Sequence, residues 1–392
     1  MQKIAKSGND GRSVKSDCSV EIKLKDSGGI SINLKSKVKA YYENSINELC
    51  KNELEYFNIK NAEVVINDLA ALDYVIMARI ESAIKKLIKT EKEYLPEENL
   101  VHTRATKKDR LRRSRLYLPG NSPKFFMNAG LHNADGIILD LEDSVSPDKK
   151  DEAKILVRNT LIKADFYNSE KMVRINQLPA GLDDLKFVAP YNVNVILIPK
   201  CETAEQVIEV ENKIEEIMNE RKLKNTIWLM PIIESALGVV NSYKIASASD
   251  KVIALAIGLE DYTADIGTER TSEGIESFFA RSQIMNSAKA TGVQAIGSVF
   301  SDVSDPDGLR KYVKDAKALG FDGIGCIHPR QIAIIHESFM PTKDEISKAK
   351  KIVDAFKDAE KKGLGVVSIG SKMIDPPVVK RAEQTLKMSK NK

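Results

Sequence analysis

Two carboxylates lie directly after apolar segments in the second half of the sequence. Glu234 follows the segment Ile227–Ile232, and Asp261 follows the segment Val252–Ile257. Two carboxylates that leave positions for water and substrate oxygens suit Mg²⁺, which prefers hard oxygen ligands. We therefore predict that Glu234 and Asp261 bind the metal and that Glu234 also contacts the substrate. The alternative is that Glu234 caps the following helix and Asp261 opens another, since carboxylates favour helix starts.

A basic side chain and an amide end a third apolar segment. Arg174 and Asn176 both lie at this segment end. Because a guanidinium is always charged, Arg174 needs an anion there, and a substrate carboxylate or an enolate oxygen supplies one. We predict that Arg174 is catalytic and binds the substrate, and that Asn176 binds the substrate. A salt bridge from Arg174 to Asp143 is the alternative.

Three acidic residues follow a further segment within four positions. Asp140, Glu142 and Asp143 could hold metal-bound water, or they could simply begin a helix from Ser144 to Lys154. We assign a structural role to Asp140 and include Glu142 and Asp143 among the candidate catalytic residues.

The elements that must position these side chains form a regular series. Eight short apolar segments of strand character are each followed by a candidate helix, which predicts a parallel sheet closed into a (β/α)8 barrel. The active site of such a barrel lies at the carboxyl ends of its strands. The segments are Arg115–Leu118, Gly136–Leu139, Met172–Ile175, Val195–Ile198, Ile227–Ile232, Val252–Ile257, Gln294–Gly297 and Gly323–Ile327.

The first part of the chain has a different pattern, which predicts a small α+β domain. Alternating apolar residues from Ser19 to Leu34 surround Asp26-Ser27-Gly28-Gly29 and predict a β-hairpin. A helix through Val38 and Leu54, a strand Ala62–Ile66 and a helix from Leu72 to Leu87 follow. We predict an α+β domain over 1–92, a basic linker over 93–112, the barrel over 113–342, and a C-terminal helical extension or lid over 343–392. The basic run 107–113 is predicted to be a solvated face.

The composition excludes several classes of protein. The net charge is +4 with both signs interspersed, so nucleic-acid binding is not predicted. No run of about 18 apolar residues and no apolar signal core occur, which predicts a cytoplasmic protein without a membrane span. The four cysteines are scattered without metal-binding spacing, which predicts free thiols.

Five ordered motifs in the second part of the chain are similar to those of a known family. They resemble citrate lyase β subunits and malyl-CoA lyases, from about Arg113 to Lys392. The motifs are Arg113-Ser114 with Leu116-Tyr117-Leu118-Pro119-Gly120-Asn121, Leu139-Asp140-Leu141-Glu142-Asp143-Ser144-Val145, Val173-Arg174-Ile175-Asn176, Ile233-Glu234-Ser235-Ala236 and Gly258-Leu259-Glu260-Asp261-Tyr262.

This resemblance implies roles for individual residues. It implies that Glu234 and Asp261 bind Mg²⁺, that Arg174 contacts the keto acid or the enolate, and that Arg113 lies near the carrier arm of a thioester. The segment Ser371–Asp375 resembles the C-terminal G-K-M-x-D motif of the family, in which the aspartate reaches across a subunit interface as the catalytic acid/base. The resemblance therefore implies a homo-oligomer, a trimer or a hexamer.

The first 90 residues resemble the acyl carrier (γ) subunit of citrate lyase, most clearly in Asn67–Asp73 and Ala78–Glu81. That family attaches a CoA-derived prosthetic group to a serine in an E-S-S/G-D setting. This chain has Val14-Lys15-Ser16-Asp17, and an ungapped match places Lys15 at the modified position. Ser16 could carry the group if the loop shifts by one residue. A lyase α (transferase) subunit is the partner that this resemblance implies.

Together these observations predict a Mg²⁺-dependent carbon–carbon lyase. Its substrate would be a β-hydroxyacyl thioester, such as a citryl thioester, and its products a 2-keto acid such as oxaloacetate and an acetyl thioester. One alternative is a malyl-CoA or citramalyl-CoA lyase that acts on free CoA thioesters and uses the front domain only for assembly. A non-enzymatic alternative is a scaffold or carrier subunit of a lyase complex.

Overall fold

The computed structural model describes residues 3–97, 105–361, 363, 366–369 and 372–389. The chain forms a front α+β domain, a closed barrel and a C-terminal extension. The elements of the front domain are the strands Ile4–Gly8 (β1), Cys18–Leu24 (β2), Ile30–Ser36 (β3) and Ala62–Asp68 (β4) and the helices Lys39–Tyr56 (α1) and Asp73–Leu87 (α2).

The sheet of the front domain has the order β1-β2-β4-β3. β2 pairs antiparallel with β4, and β3 pairs parallel with β4, so β4 lies between the two strands that were predicted to form a hairpin. The hairpin prediction is therefore wrong, although both of its strands exist. Alternation of apolar residues predicts a strand but not its neighbour, and Val64 and Ile66 give β4 the buried central position. The strand β1 was not predicted.

The second part of the chain is a closed barrel of eight parallel strands with helices on its outer side. Each predicted segment forms one of these strands, and the barrel prediction is confirmed. The strands are Ser114–Pro119 (β5), Gly136–Asp140 (β6), Glu170–Arg174 (β7), Val195–Ile198 (β8), Trp228–Ile233 (β9), Ala254–Ile257 (β10), Gln294–Gly297 (β11) and Gly323–Cys326 (β12). The helices are Lys150–Lys163 (α3), Gly181–Val188 (α4), Ala204–Glu220 (α5), Ala236–Ala246 (α6), Leu259–Asp265 (α7), Phe278–Thr291 (α8), Pro306–Leu319 (α9) and Arg330–Phe339 (α10).

The basic segment before the barrel is part of the fold. Arg112 is fully buried and forms two hydrogen bonds to Glu170, at 2.7 and 2.9 Å. The indole N–H of Trp228 donates to the carbonyl of Thr106 at 2.9 Å. The predicted solvated face is therefore wrong at Arg112, because the start of β7 supplies a buried counter-ion that the local sequence does not show. Residues 98–104 of the predicted linker lie outside the described residues.

Buried ion pairs fix the front domain to the barrel. The helix α2 packs on α3, and Arg158 of α3 forms bonds of 2.7 and 2.9 Å to the Glu81 carboxylate of α2. Arg79 of α2 lies 3.5 Å from the Glu152 carboxylate of α3 and donates to Asn121 Oδ1 at 2.6 Å. Both arginines are fully buried, so separating the two domains would expose or strand these charges.

The C-terminal extension has a small apolar core of its own. It consists of Lys343–Glu360 (α11), the paired strands Val367–Ile369 (β13) and Lys372–Ile374 (β14), and Pro376–Ser389 (α12). The two helices pack through Ala349, Val353, Val379 and Ala382. The predicted helical extension is thus confirmed. Within the described ranges, no helix has both the length and the apolar character needed to cross a membrane.

Candidate active site

A cavity of about 470 Å³ opens at the carboxyl ends of the barrel strands. This is the end at which barrel enzymes carry their active sites. Its polar lining includes Asp140, Arg174, Glu234 and Asp261, which follow or end four different strands. The structure therefore brings together four of the residues that the sequence singled out.

Arg174, the last residue of β7, is held in one orientation by carboxylates. Its Nε and Nη2 donate to the two oxygens of Asp140 at 2.7 and 2.8 Å. Its Nη1 lies 2.8 Å from Glu142 Oε2 and 3.5 Å from Asp143 Oδ2. The alternative of a bridge to Asp143 thus describes only the longest of these contacts. Fork-shaped pairing with Asp140 fixes the guanidinium plane, which is what an oxyanion-stabilising group requires.

The electrostatics keep this pair charged. Burial alone would raise the pKa of Asp140, but hydrogen bonds from Arg174 outweigh it and hold the pKa below its ordinary value. Burial also opposes the charge of Arg174, yet the Asp140 carboxylate raises its pKa above the ordinary range. For Glu142, burial prevails and raises the pKa, although Arg174 and a 2.9 Å hydrogen bond from Gln177 oppose it. Arg174 and Asp140 are therefore ionised at neutral pH.

Glu234 follows β9 and is almost entirely buried, with 6% of its surface exposed. Burial raises the pKa of Glu234 to about 7, although the backbone N–H of Lys200 donates to its Oε2 at 2.9 Å. A Cβ at Gly258 would overlap Glu234 Oε1, so the absence of a side chain there makes room for the carboxylate. The helix α6 is capped instead by Ser235, whose hydroxyl accepts from Gly238 N–H. Glu234 is therefore free of the capping role that was its alternative.

Asp261 lies in the first turn of α7, as its alternative interpretation expects, and it also faces a cation. Lys200 Nζ is 3.0 Å from Asp261 Oδ1, and both side chains are more than a third exposed. Burial would lower the pKa of Lys200, but the Asp261 carboxylate raises it. Lys200 also has a left-handed backbone with φ 46°, a costly conformation for a residue with a side chain and one that is enriched at functional sites.

Sequence reasoning did not select Lys200, although it lies two positions after the predicted strand Val195–Ile198. Through its backbone and its ammonium it links Glu234 to Asp261. A lysine at the carboxyl end of a predicted barrel strand is a signal that could have identified Lys200 as a site residue.

The donor set at this rim fits Mg²⁺. Of the residues that the structure describes, no group of three or more histidine, cysteine or acidic side chains is arranged to hold a metal. Mg²⁺ does not need such a cage, because it is usually bound by one or two carboxylates, waters and substrate oxygens. The buried Glu234 carboxylate, with its raised pKa, has little compensation for its negative charge. A cation beside Glu234 and Asp261 would supply that compensation.

Two further residues of the cavity were not predicted. Arg115 lies in β5 with 1% of its surface exposed, and burial lowers its pKa to about 10. Tyr117 lies two positions later on the same strand, and the Arg174 guanidinium carbon is 5.4 Å from the centre of its ring. A charged residue inside an otherwise apolar strand is the signal that could have revealed Arg115.

The structure places Arg113 away from this cavity, and its predicted contact with the substrate stays a prediction. Arg113 precedes β5 and therefore lies at the amino end of the barrel, opposite the cavity. Its Nε and Nη2 are bonded to the Asp135 carboxylate at 2.8 and 2.9 Å. Since Asp135 precedes β6, this pair joins two strand starts. Arg113 therefore has a structural role in this chain.

Asn176 is also placed away from the cavity lining. Its backbone N–H and side-chain Nδ2 both donate to Asp184 Oδ2, at 2.7 and 2.8 Å, and its Oδ1 accepts from Lys150. These bonds engage both the oxygen and the nitrogen of the side-chain amide, and the predicted substrate contact of Asn176 stays a prediction. Asn176 fixes the loop after β7, which holds Arg174.

Two predicted residues lie outside this cavity. Asp375 precedes α12 and its Oδ1 accepts from Val378 N–H at 3.2 Å, and it does not line the cavity of its own chain. Ser371, in the same motif, lies outside the described residues. Ser16 is half-buried, beside the exposed Lys15, and has a left-handed backbone with φ 56°. The catalytic role of Asp375 and the attachment role of Ser16 stay predictions.

Comparison with known proteins agrees with this arrangement. Residues 113–329 match the family described as HpcH/HpaI aldolase/citrate lyase, and residues 6–87 match the malonate decarboxylase delta subunit family. The citrate lyase subunit beta of Leuconostoc mesenteroides subsp. cremoris is 40% identical over 284 residues, which cover 72% of this chain and 94% of that subunit. The mitochondrial citramalyl-CoA lyase of Homo sapiens is 34% identical over 290 residues, covering 71% of this chain and 85% of that enzyme.

A solved structure has the same fold. The protein CitE of Mycobacterium tuberculosis, in complex with magnesium, acetoacetate and coenzyme A, is 28% identical with a TM-score of 0.62. The alignment covers 72% of this chain and 100% of that protein. The predicted resemblances of the barrel and of the front domain are confirmed. Since the family match spans more than half of the 392 residues, the chain belongs to the HpcH/HpaI aldolase/citrate lyase family.

Proposed function

We propose that the protein is a Mg²⁺-dependent carbon–carbon lyase that cleaves a citryl-type β-hydroxyacyl thioester. The observation that carries the proposal is the convergence of Arg174, Glu234 and Asp261 on one cavity, with Arg174 locked by Asp140. The products are a 2-keto acid such as oxaloacetate and an acetyl thioester. Membership in the citrate lyase family supports this class of reaction.

The reaction breaks the bond between the hydroxyl-bearing carbon and the α-carbon of the thioester. The hydroxyl loses its proton and becomes the keto oxygen, while the bonding electron pair passes into a thioester enolate. Arg174 stabilises the oxyanion charge that develops, and Asp140 keeps its guanidinium in place. Mg²⁺ held by Glu234 and Asp261 would supply Lewis-acid chemistry at the substrate oxygens. Protonation of the enolate carbon completes the acetyl thioester.

Asp375 from a neighbouring subunit is the proposed source of that proton. Its own chain places it at the start of α12, in the extension with a separate core. A partner subunit would therefore be needed, in a homo-oligomer such as a trimer or hexamer. Mixing an Asp375→Ala variant with an Arg174→Ala variant tests this. Partial recovery of activity in mixed oligomers is expected, and no recovery under conditions of proven subunit exchange would contradict a shared site.

A groove beside the front domain supports entry of the thioester arm on that side. A space of about 700 Å³ lies between the loop that contains Lys15 and Asp17 and the rim loop that contains Asn121. Ser144 lines both this groove and the catalytic cavity, so the two spaces are neighbours. The proposed occupant is the arm of the thioester, either attached to Ser16 or part of a free CoA ester. Because buried ion pairs fix the front domain to the barrel, the arm itself must span the distance.

Intact mass of the protein from its native host distinguishes these two routes. An added mass that maps to Ser16 supports the carrier route, with a lyase α subunit as the partner that loads the arm. An unmodified chain supports the second candidate, a malyl-CoA or citramalyl-CoA lyase. The presence of Lys15 at the position that the carrier family modifies favours this second candidate.

The activity itself is tested with purified protein and Mg²⁺. Citryl-CoA, malyl-CoA and citramalyl-CoA are offered separately, and release of the keto acid is followed. Keto-acid release that is abolished by excess chelator and restored by Mg²⁺ is expected. Full turnover in excess chelator would contradict the metal assignment. Absence of cleavage of every ester, with and without the native modification, would favour the scaffold alternative.

A further inference from the structure

A buried guanidinium at the floor of the cavity lacks a counter-ion. Among the described residues, no carboxylate lies within the 4.0 Å ion-pair distance of Arg115. Its Nη1 is 3.1 Å from Met230 Sδ, its Nη2 donates to Gly297 O at 3.4 Å, and its Nε has no hydrogen-bond partner. A thioether and one long hydrogen bond do not compensate a charge withdrawn from water.

The other fully buried arginines are different. Arg79, Arg112 and Arg158 each lie within 3.0 Å of a carboxylate. In those places the fold supplies the anion together with the cation. At Arg115 it supplies a cation alone, and it does so in the wall of the catalytic cavity.

Small residues leave the guanidinium open to this cavity. Ala256, Gly297 and Gly325 line the floor together with Arg115. A Cβ at Gly325 would stand 3.8 Å from Arg115 Nη2 and 2.7 Å from Val299 Cγ1, so a larger residue would close the space. The unpaired charge therefore borders a volume that a ligand can enter.

The candidate substrates differ in one substituent that a buried positive charge can distinguish. The hydroxyl-bearing carbon has a hydrogen in a malyl thioester, a methyl group in a citramalyl thioester and a carboxymethyl group in a citryl thioester. The hydroxyl and the adjacent carboxylate are common to all three, and the proposed function assigns those groups to Mg²⁺ and Arg174. Only the citryl thioester brings an additional anion.

We propose that Arg115 binds this additional carboxylate and selects the citryl thioester, and hence oxaloacetate as the keto acid. The proposal rests on the lyase function above and names the substrate within it. A guanidinium at the floor of a dry cavity can bind a carboxylate through two parallel hydrogen bonds. A methyl group at the same place would leave the Arg115 charge unpaired, which discriminates against the citramalyl ester.

The test compares Arg115→Met and Arg115→Lys with the wild-type chain. The ratio of kcat/KM for citryl-CoA to that for citramalyl-CoA is expected to fall by about 100-fold or more in Arg115→Met, because the buried charge that rejects the methyl ester is gone. Arg115→Lys keeps a charge on a shorter side chain, and its ratio of kcat/KM values is expected to lie between those of the wild type and Arg115→Met. The Tm of Arg115→Met is expected to be no lower than that of the wild type, since methionine removes an unpaired buried charge.

Equilibrium binding separates this proposal from the lyase proposal. Isothermal titration with oxaloacetate and with pyruvate, at one concentration of free Mg²⁺, requires no turnover. Arg115→Met is expected to lose affinity for oxaloacetate selectively. An unchanged ratio of the two affinities, or an equal loss of both, would overturn the role of Arg115. If the wild type cleaves no thioester, the lyase proposal fails, while this titration still decides on Arg115.

Discussion

The rim of the barrel and the junction between the two domains use the same pair of chemical groups in different ways. At the junction, Arg158 and Glu81 are both fully buried and bonded to each other. At the rim, Arg174 keeps 12% of its side chain exposed beside a cavity, and it is shared by Asp140, Glu142 and Asp143. The junction pair is fully enclosed, whereas the rim pair keeps part of the Arg174 side chain exposed at the cavity.

This difference separates the energetic roles of the two pairs. A sealed pair can be replaced by apolar side chains of similar volume at little cost, because both charges and both desolvation penalties disappear together. A pair that orients a group for catalysis cannot be replaced in this way, because the exposed face of the cation is what acts. Matched single and double substitutions at the two places therefore test the comparison directly.

The largest effect is expected at the junction. Arg158→Met leaves the buried Glu81 carboxylate with only Lys85 Nζ, at 3.6 Å, as a cation, and is expected to lower the free energy of unfolding by about 3–5 kcal/mol. Urea denaturation followed by circular dichroism measures this loss. The double variant Glu81→Met/Arg158→Met is expected to regain most of the stability, and kcat of the folded protein is expected to stay near the wild-type value in both. If Arg158→Met is as stable as the wild type, the Arg158–Glu81 pair does not stabilise the contact between the two domains.

The next effect is expected at the rim. Arg174→Gln removes the donor aimed at the developing oxyanion and is expected to lower kcat by about 10²–10³-fold. Steady-state kinetics with a citryl thioester measure it. The double variant Asp140→Asn/Arg174→Gln, which also removes the stranded carboxylate, is expected to regain stability but not turnover. Recovery of turnover in that double variant would mean that the two pairs are equivalent, and the comparison would fail.

The sequence predicts the position of the rim better than the pairing within it. Eight strand segments and the order of the residues after them are local features, so Glu234, Asp261 and Arg174 could be placed at one end of a barrel. Which carboxylate binds Arg174 depends on how neighbouring strands are registered. Asp140 lies opposite Arg174 in the pairing of β6 with β7. The sequence alone predicted a substrate anion as the partner of Arg174, with Asp143 as the alternative.

The same limit explains the errors. Arg112 and Arg113 belong to one basic run, and only the fold places Glu170 and Asp135 beside them. The hairpin failed because β4, encoded 26 residues after β3, inserts between two strands that are adjacent in the sequence. Ion-pair partners and strand neighbours that are distant in the sequence could not be predicted from a single sequence.

A smaller effect concerns competition between the Lys200 ammonium and Mg²⁺ for the Asp261 carboxylate. Lys200 Nζ forms an ion pair with the Asp261 carboxylate, and a metal that binds this carboxylate must compete with it. Lys200→Met is expected to lower the Kd for Mg²⁺ by about 2–5-fold, the range that a partly exposed ion pair contributes. Isothermal titration of the protein with Mg²⁺, without substrate, measures this. The control is Lys186→Met, whose lysine pairs with Asp183 outside the cavity. Weaker Mg²⁺ binding in Lys200→Met would show that the ammonium holds the Asp261 carboxylate in place for the metal instead of competing with it.

The smallest effect concerns Glu53, a buried carboxyl group near the junction pair of Glu81 and Arg158. Glu53 is fully buried in the front domain, and burial, with a further contribution from the Glu81 carboxylate, raises its pKa well above the ordinary value. The folded state therefore binds the Glu53 proton more tightly than the unfolded state does. This contribution to stability is present below about pH 4.5 and is lost as the pH rises through the folded pKa.

Glu53→Gln removes that titration while keeping the shape of the side chain. Its Tm is expected to exceed the wild-type Tm by about 2 °C at pH 8, with a smaller difference at pH 5. Thermal denaturation at the two pH values measures the change. Glu55→Gln, at an exposed position of the same helix, serves as the control. If the difference is the same at both pH values, folding does not raise the pKa of Glu53, and burial at this place carries no titration penalty.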